Sequence, residues 1–290
     1  MSKLLKWMLS LSLIALLAGC RSKENSDEIA IYQLPNQSYS QMMSYIIESN
    51  GTTIVIDGGT IDDEDYLVEK IKEISGDNIV EGWFLTHYHK DHTGALAQYL
   101  ESDKADIEIK KIFYNFPEET WVSEYEPNRL LDIKQIDAQL YKIKENVVVE
   151  LNMNINLGDV VVDVLRTYNP EIIQNAGNNS SSVYKFVVNE KEILFLGDLG
   201  VEGGVELMEL NGEAIKNMDY VQMAHHGQAG VSENVYSLIN PSYCLWPTTD
   251  WLWKNEDGAY QTDETKSWIN KLNVKENYVA KDGLIRIDLK

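Results

Sequence analysis

Histidine is scarce in this sequence, and its few positions are grouped. Three of the five histidines fall within residues 87–92, which read His-Tyr-His-Lys-Asp-His. The other two, His225 and His226, are adjacent and precede a glycine. Both groups directly follow an apolar run with the composition of a β-strand. Because unprotonated imidazole nitrogens and carboxylate oxygens bind transition metals, this grouping predicts a metal site rather than a solvent-exposed polar loop.

The spacing of these residues suits two cations rather than one. His87 and His89 are two apart in an extended segment, where alternate side chains point the same way and can bind one ion. Asp91 and His92 lie past the next turn and can reach a second point nearby. Asp198 ends another apolar run, and its two oxygens could bridge cations about 3.5–4 Å apart, although a turn-capping aspartate is the alternative. The predicted metal ligands are His87, His89, Asp91, His92, Asp198, His225 and His226.

The segments between these residues alternate between strand and helix patterns. Asn50-Gly51 between two β-branched runs predicts a hairpin, and the apolar spacing of residues 62–74 predicts a helix. We therefore expect an α/β fold of two sheets covered by helices. Further strands are predicted near residues 29–32, 80–85, 107–113, 160–165, 183–188, 193–196, 220–223 and 243–246, further helices near 93–100, 129–144, 205–210, 233–239 and 265–272, and a closing hairpin at 282–283.

The composition is that of a globular protein with a strong acidic excess. Hydrophobic residues make up 44% of the 290 residues, and no repeat or linker divides residues 29–290, so we predict one domain there. The formal charge of −21 repels polyanions, so no stable nucleic-acid complex is expected. Only two cysteines are present, which excludes a disulfide scaffold, and Cys244 is predicted to be a buried, inert thiol.

The N-terminus has the pattern of a targeting segment. A basic start and a short apolar run precede Leu-Ala-Gly-Cys at positions 17–20. The apolar run is too short to span a bilayer, which is typical of a signal peptide. We interpret residues 1–19 as a lipoprotein signal peptide, Cys20 as the lipidated residue and residues 20–28 as a tether. The expected location is the outer side of the cell membrane, held by a lipid anchor. An ordinary signal peptide with an incidental cysteine is the alternative.

The combined motifs resemble the metallo-β-lactamase superfamily of metal-dependent hydrolases. These motifs are His-x-His-x-Asp-His at 87–92, Gly-Asp at 197–198 and His-His-Gly at 225–227, and the resemblance spans nearly all of residues 29–290. It implies a four-layer αββα sandwich with two divalent metal ions between the sheet edges. Residues 54–59 match the superfamily's early strand and Asp-Gly turn, which implies that Asp57 supports the histidine loop.

One branch of that superfamily is especially similar, namely the metallo-hydrolase domain of bacterial competence (DNA-uptake) proteins. Its members have an Asn-Asn-x-Ser segment before the Gly-Asp, and residues 178–181 match it here. The resemblance therefore implies supporting roles around the metals for Asn178, Asn179 and Ser181.

The sequence departs from the family pattern in its supply of histidines. Residues 93–224 contain none, so the first ion would have His87, His89 and Asp198 with an Asn or Ser from the 178–182 loop. A late Gly-His-Pro is also missing. Fewer nitrogen ligands make manganese or iron alternatives to paired zinc. Between His225 and His226, we favour His225 slightly because it directly follows the predicted strand.

The predicted function is hydrolysis by a metal-activated water, with Asp91 as the candidate catalytic residue that orients this water or transfers a proton. We expect a small-molecule or nucleotide-like substrate, namely a phosphodiester or another small ester. The alternatives are an acyl hydrolase for lactones, thioesters or β-lactams, and a membrane-tethered lipoprotein that binds metal or ligand without turnover. Trp246, Trp251 and Trp253 could line a substrate pocket or pack in the core. No protein partner can be inferred.

Overall fold

The structure, a computed structural model, describes residues 28–290. The predicted signal peptide, the predicted lipidation site Cys20 and all of the predicted tether except its last residue lie outside the described residues. Among residues 28–290, no helix is both long enough and apolar enough to cross a membrane.

The described residues form short strands and helices. Strands and helices alternate along the chain where the strands of each sheet run parallel. The strands are β1 (Ile29–Gln33), β2 (Tyr45–Ser49), β3 (Thr52–Ile56), β4 (Ile79–Val80), β5 (Gly82–Phe84), β6 (Glu108–Ile109), β7 (Lys111–Tyr114), β8 (Glu145–Val148), β9 (Asn154–Leu157), β10 (Val160–Arg166), β11 (Val183–Val188), β12 (Lys191–Phe195), β13 (Tyr220–Gln222), β14 (Tyr243–Trp246), β15 (Glu276–Val279) and β16 (Ile285–Asp288). The helices are α1 (Glu64–Ser75), α2 (Lys90–Glu101), α3 (Glu119–Tyr125), α4 (Leu130–Leu140), α5 (Ala176–Asn179), α6 (Val201–Asn211), α7 (Glu233–Ile239), α8 (Asp250–Lys254) and α9 (Thr262–Ile269).

Two seven-stranded mixed sheets form the centre of the fold. The first has the order β16-β1-β2-β3-β5-β7-β8, and the second has the order β15-β14-β13-β12-β11-β10-β9. In the first sheet the strands from β3 to β8 run parallel, and in the second the strands from β12 to β15 do so. A separate pair, β4 and β6, is also parallel.

Apolar side chains fill three layers, one between the sheets and one under the helices on each outer face. In β5, successive side chains point to opposite faces of the sheet: Trp83 packs in the layer under α1, α2 and α4, whereas Phe84 packs between the sheets. Phe84 stacks on Phe113 of the same sheet at 4.4 Å and contacts Phe186 of the other sheet edge-on at 5.0 Å. Trp246 belongs to the layer under α6, α7 and α9. The predicted αββα sandwich is therefore confirmed.

The two predicted hairpins have opposite outcomes. Asn50 and Gly51 both have positive φ, at 50° and 86°, and join β2 to β3 as an antiparallel pair, as predicted. The hairpin predicted at Asp282-Gly283 is wrong, because β15 pairs with β14 in the second sheet whereas β16 pairs with β1 in the first. Turn-forming residues mark a change of chain direction, but they do not specify which strands will pair. Here the turn carries the chain from one sheet to the other.

Helix α2 begins at Lys90, three residues before the predicted start. Its first turn is polar and offers no apolar spacing from which a helix could be recognised. As a result Asp91 and His92 lie in the first helical turn rather than in a loop. Helices α3, α5 and α8 lie outside the predicted helices; α5 and α8 have only four and five residues, too few for a helical periodicity to appear.

The outer helical layer can be tested on α4, which has a buried and an exposed aliphatic residue. Ile136 is fully buried, whereas Leu131 is 77% exposed. We expect Ile136→Ala to lower the free energy of unfolding by about 2–5 kcal/mol because it leaves a cavity. Leu131→Ala should change it by less than about 0.5 kcal/mol. Urea unfolding followed by circular dichroism measures both, and equal effects would contradict the described packing.

Candidate metal centre

The functional candidates lie at the carboxyl ends of neighbouring parallel strands. The segment 87–92 follows β5, and Asp57 follows the adjacent strand β3. In the second sheet, Asp198 follows β12, and the 225–226 pair follows the adjacent strand β13. Because the carboxyl ends of parallel strands meet at one edge, the two sheets bring residues distant in sequence to one place.

Two groups of donor atoms converge there and share one residue. The first donor group consists of His87, His89 and Asp198, and the second donor group consists of Asp91, His92, Asp198 and His226. Within each group the candidate ligand atoms all lie within 4.8 Å of one another. A shared carboxylate between two such groups is consistent with a site for two metal ions.

Buried atoms in both groups lack the partners that a folded protein normally supplies. Nε2 of His87, His92 and His226 and Oδ1 of Asp198 are buried without a hydrogen-bond partner among the described residues. His92 Nε2 lies 3.2 Å from Asp198 Oδ1, but this approach does not have hydrogen-bond geometry. Buried polar atoms are rarely left unsatisfied, and an ion is one of the accepted reasons. The donor set therefore fits divalent cations.

Three of the imidazoles have their other nitrogen occupied by a protein group. His92 donates from Nδ1 to Asp57 Oδ2 at 2.7 Å, and His226 donates from Nδ1 to the carbonyl of Pro247 at 2.9 Å. His87 Nδ1 lies 3.2 Å from the hydroxyl of Thr86. Because carboxylate and carbonyl oxygens only accept, Nδ1 of His92 and of His226 must carry the proton. Their Nε2 atoms are thereby left available for a cation.

The charges of the metal-free site favour the entry of cations. Burial by itself would raise the pKa of Asp198, but the neighbouring His92 and His226 hold it well below its usual value. Burial would lower the pKa of His92 and His226, yet Asp198 and the other carboxylates raise both pKa values. The ionised carboxylates therefore favour protonation of these two imidazoles in the metal-free protein. Cation binding would replace those protons, which is the usual coupling between metal and proton at such sites.

The structure places His226 in a donor group and leaves His225 outside both. β13 ends at Gln222, and residues Ala224–Gly227 form a tight 3-10 turn in which both histidines have positive φ, at 49° and 55°. The alternation of a strand therefore does not apply to this pair, and the slight preference for His225, which assumed that it directly follows the strand, stays a prediction. His225 Nε2 lies 3.9 Å from Asp198 Oδ2 at the rim of the site. Left-handed non-glycine residues cost about 1–3 kcal/mol each and are concentrated at functional sites.

Asp57 forms hydrogen bonds with two residues of the segment that follows β5. Its Oδ1 accepts the backbone N–H of Thr86 at 2.8 Å, and its Oδ2 accepts the Thr86 hydroxyl at 2.7 Å as well as His92 Nδ1. Burial raises the pKa of Asp57, and the neighbouring His92 is the main group that acts in the opposite direction. This carboxylate therefore links the end of β3 to the segment that follows β5.

The 178–181 segment has three distinct roles. Asn178 lines the open site and leaves its Oδ1 without a partner among the described residues. Asn179 Oδ1 accepts the backbone N–H groups of Gly200 and Gly203 at 2.9 and 3.0 Å, so it stabilises the start of α6. Ser181 Oγ accepts the backbone N–H of Asp198 at 3.1 Å and so helps to position the shared carboxylate.

Buried Arg166, which was not predicted from the sequence, supports this segment. It donates to the carbonyl of Ser181 at 2.8 Å and to Glu206 Oε2 at 2.7 Å. A lone arginine at the end of a strand gave no signal for this contact, because its partners lie 15 and 40 residues away.

Glu126 is the second residue that the sequence did not indicate. Its Oε2 accepts hydrogen bonds from the Tyr88 hydroxyl at 2.5 Å and from His89 Nε2 at 3.0 Å. Pro127 follows it and begins a 3-10 turn, Pro127–Arg129, so α3 must end here. This proline indicates in the sequence that the helix ends near Glu126. It does not indicate which residues Glu126 contacts.

An open cavity of about 560 Å³ lies over both donor groups. Asp91, Lys90 and Arg129 line it, and Trp251 forms part of its far wall. The other residues of the wall include Tyr39, Ser40, Gln41, Thr60, His89, Glu126, Asn128, Asn178, Asp198, His225, Gln228 and Tyr260.

The three tryptophans that follow β13 are divided between the two predicted roles. Trp251 lines the cavity and stacks on Tyr39 with ring centroids 5.5 Å apart. Trp246 is buried in the core and contacts Trp253 edge-on at 5.2 Å. Cys244 is buried nearby, and burial raises the pKa of its thiol to about 12, which makes it inert as expected.

Comparisons with known proteins agree with this architecture. A sequence model of the metallo-beta-lactamase superfamily matches residues 40–239. The solved structure of the metallo-beta-lactamase fold protein YhfI from Bacillus subtilis is similar, with 11% identity and a TM-score of 0.57, over 89% of this chain and 99% of that chain. The diiron beta-hydroxylase CmlA from Streptomyces venezuelae has 11% identity and a TM-score of 0.54, over 90% of this chain and 54% of that chain. A diphosphatase of the PhnP family has 11% identity and a TM-score of 0.50, over 90% of this chain and 98% of that chain. No curated protein matches.

The shared carboxylate makes a direct test of the metal centre possible. We expect Asp198→Asn to reduce the binding of both ions, because both donor groups lose the same carboxylate. The exposed Asp159, which bonds to Asn50 in a surface turn, offers the matched control Asp159→Asn. Elemental analysis after equilibration with zinc measures ions per chain. Retention of two ions by Asp198→Asn would contradict the shared site.

Proposed function

Because the chain belongs to the metallo-beta-lactamase superfamily and carries the two donor groups, it is a metal-dependent hydrolase, and we propose that it cleaves small phosphodiesters. The fold by itself does not select a substrate, since a diphosphatase and a beta-hydroxylase have similar folds. The choice must therefore come from the residues around the donor groups.

The observation that carries the proposal is the presence of two cationic side chains at this cavity. The protein as a whole has a formal charge of −21 and repels anions. Lys90 and Arg129 nevertheless both line the cavity above the donor groups. Arg129 is paired with Asp132 at 3.3 Å, which holds its guanidinium in place. Although Asp91, Glu126 and Asp198 line the same cavity, an ammonium and a guanidinium can each form a charge-assisted hydrogen bond with a phosphate oxygen, which favours an anionic substrate.

Aromatic side chains at the same cavity suit a substrate that also carries a ring. Tyr39 and Trp251 are stacked with an interplanar angle of 19°, and the indole N–H donates to the Tyr39 carbonyl at 2.9 Å. Tyr260 contacts Trp251 at 5.4 Å. Tyr39 is 79% exposed, so its ring is available to a ligand. Base–aromatic stacking contributes about 1–3 kcal/mol, which supports a nucleotide-like substrate.

Asp91 is the proposed catalytic residue. Bound divalent cations would supply an acidified water and polarise the scissile phosphoryl group. Asp91 is 21% exposed, compared with 2% for Asp198, so its carboxylate reaches both the donor group and the cavity. There it can orient the attacking water and transfer a proton toward the leaving oxygen. At the rim, His225 donates from Nδ1 to the carbonyl of Ala229 at 3.3 Å, so its Nε2, like the unpartnered Oδ1 of Asn178, can accept a hydrogen bond from a substrate hydroxyl or from water.

Several finer features belong to the same proposal. We propose zinc as the resident cation, with manganese or iron as alternatives, because both donor groups combine imidazole and carboxylate. The match of residues 178–181 to competence-type domains favours a nucleotide-like substrate, and the net charge favours a small one. The N-terminal pattern supports a lipid anchor at the outer side of the cell membrane.

A substrate panel tests the reaction class. We expect zinc- or manganese-loaded protein to hydrolyse bis(p-nitrophenyl) phosphate faster than an aryl lactone or a chromogenic cephalosporin. Chelation should abolish activity, and Asp91→Asn should lower kcat by about 10²–10⁴-fold through loss of proton transfer. Asp159→Asn serves again as the control. Faster turnover of the lactone or cephalosporin would favour acyl hydrolysis, and tight ion binding with no turnover would favour the binding protein.

The role of the cavity's cations is tested separately. Replacing Lys90 and Arg129 by Gln should raise KM for the phosphodiester by at least about 10-fold, since each hydrogen bond to a charged group is worth about 1.5–3 kcal/mol and about 1.4 kcal/mol corresponds to a factor of ten. The wild-type KM should rise with added salt more than that of the double variant. Lys104→Gln is the matched control, because Lys104 pairs with Glu64 on α1 away from the cavity. An unchanged KM would contradict recognition of an anion.

A further inference from the structure

His89 differs from the other histidines of the donor groups in which nitrogen the protein occupies. In His92 and His226 the occupied nitrogen is Nδ1, and Nε2 is left available. In His89 the occupied nitrogen is Nε2, which lies 3.0 Å from Glu126 Oε2. Only Nδ1 of His89 therefore remains for a cation, unless the bond to Glu126 breaks.

The surroundings of Glu126 hold this bond in place. The same oxygen accepts the hydroxyl of Tyr88 at 2.5 Å, so the carboxylate is anchored from a second direction. The backbone of α5 covers the pair from the opposite side. A Cβ on Gly177 would lie 1.9 Å from Glu126 Oε2 and 2.3 Å from His89 Nε2, so only glycine leaves room for the contact. The pair is thus enclosed by two elements distant in sequence.

A carboxylate controls an imidazole in a way that a neutral amide cannot. It only accepts hydrogen bonds, so it requires the proton of His89 to be on Nε2. We propose that Glu126 is a positioning residue for the first cation: it keeps the proton on Nε2 and presents Nδ1 of His89 as the donor nitrogen. This arrangement is the counterpart of Asp57 and His92 in the second donor group, where the carboxylate holds Nδ1 and presents Nε2.

This role bears on the unusual composition of the first donor group. That group has two histidines and Asp198, whereas the second group has four members. With fewer ligands, each remaining one must be held more closely, and an outer carboxylate also makes its imidazole a stronger donor. The inference depends on cation binding but not on the identity of the substrate.

The experiment compares zinc binding by three single variants of the metal-free protein. Glu126→Gln should weaken one of the two zinc sites by about 10–100-fold, as is usual for loss of an outer carboxylate, and leave the other unchanged. Asp57→Asn should weaken the other site by a similar factor. Glu124→Gln, on the exposed face of α3, should alter neither. A competing chromophoric chelator or calorimetry measures the affinities, and the double variant Glu126→Gln/Asp57→Asn should show both losses together.

A spectroscopic measurement identifies the nitrogen. Long-range ¹⁵N–¹H spectra of the zinc-loaded wild type should show His89 protonated at Nε2 and bound through Nδ1, with the resonance assigned by its absence from a His89→Gln variant. Gly177→Ala should reproduce the affinity loss of Glu126→Gln, and it provides a second test if the latter fails to fold.

Three results would overturn the inference. They are unchanged zinc affinity in Glu126→Gln, tighter binding in that variant because Glu126 competes for His89, or zinc bound through Nε2 of His89. A wild-type protein that binds no zinc, manganese or iron would instead refute the metal centre itself. Absence of phosphodiesterase activity with normal zinc binding would refute the proposed substrate and leave this inference standing.

Discussion

A buried carboxylate shared by two groups of imidazoles is the interaction on which the rest of the site depends. Asp198 is almost fully buried, and its ionised state persists only because positive charge surrounds it. In the metal-free protein Asp198 raises the pKa of His92 and of His226, which favours their protonation beside it, and in the loaded protein cations would supply the positive charge. An unpaired charge in this position would be strongly destabilising. The strand ends and helices around the site therefore share one role, which is to hold charged or polar groups near the two carboxylate oxygens of Asp198.

Residues that are not themselves metal-ligand candidates hold the donor side chains in place. Asp57 and the carbonyl of Pro247 orient two imidazoles, and Ser181 binds the backbone N–H of Asp198. Arg166 in turn supports the Ser181 carbonyl. All of these contacts start from residues at or beyond strand ends, and the strands are held in register by the apolar layer between the sheets. Close packing of that layer fixes the positions of the strand ends and thereby of the donors.

Prediction from the sequence succeeded where a local pattern has a single physical meaning. The Asn50-Gly51 turn requires positive φ, and its hairpin formed as expected. The turn at 282–283 had a similar local signal but joins strands of different sheets, because pairing depends on which partner edges are free. Helix α2 starts earlier than predicted, since its polar first turn has no apolar spacing by which a helix can be recognised.

The sequence by itself determined the chemistry of this protein: the donor types, their clusters after strands, and the resemblance that predicted the αββα sandwich. Only the tertiary structure decided that His226 rather than His225 joins a donor group, because a left-handed turn replaces the end of the strand. It also decided that Glu126 meets His89, 37 residues earlier in the chain. The physical reason is that local sequence constrains backbone conformation, whereas contacts between remote side chains depend on how packed layers bring separate strand ends together.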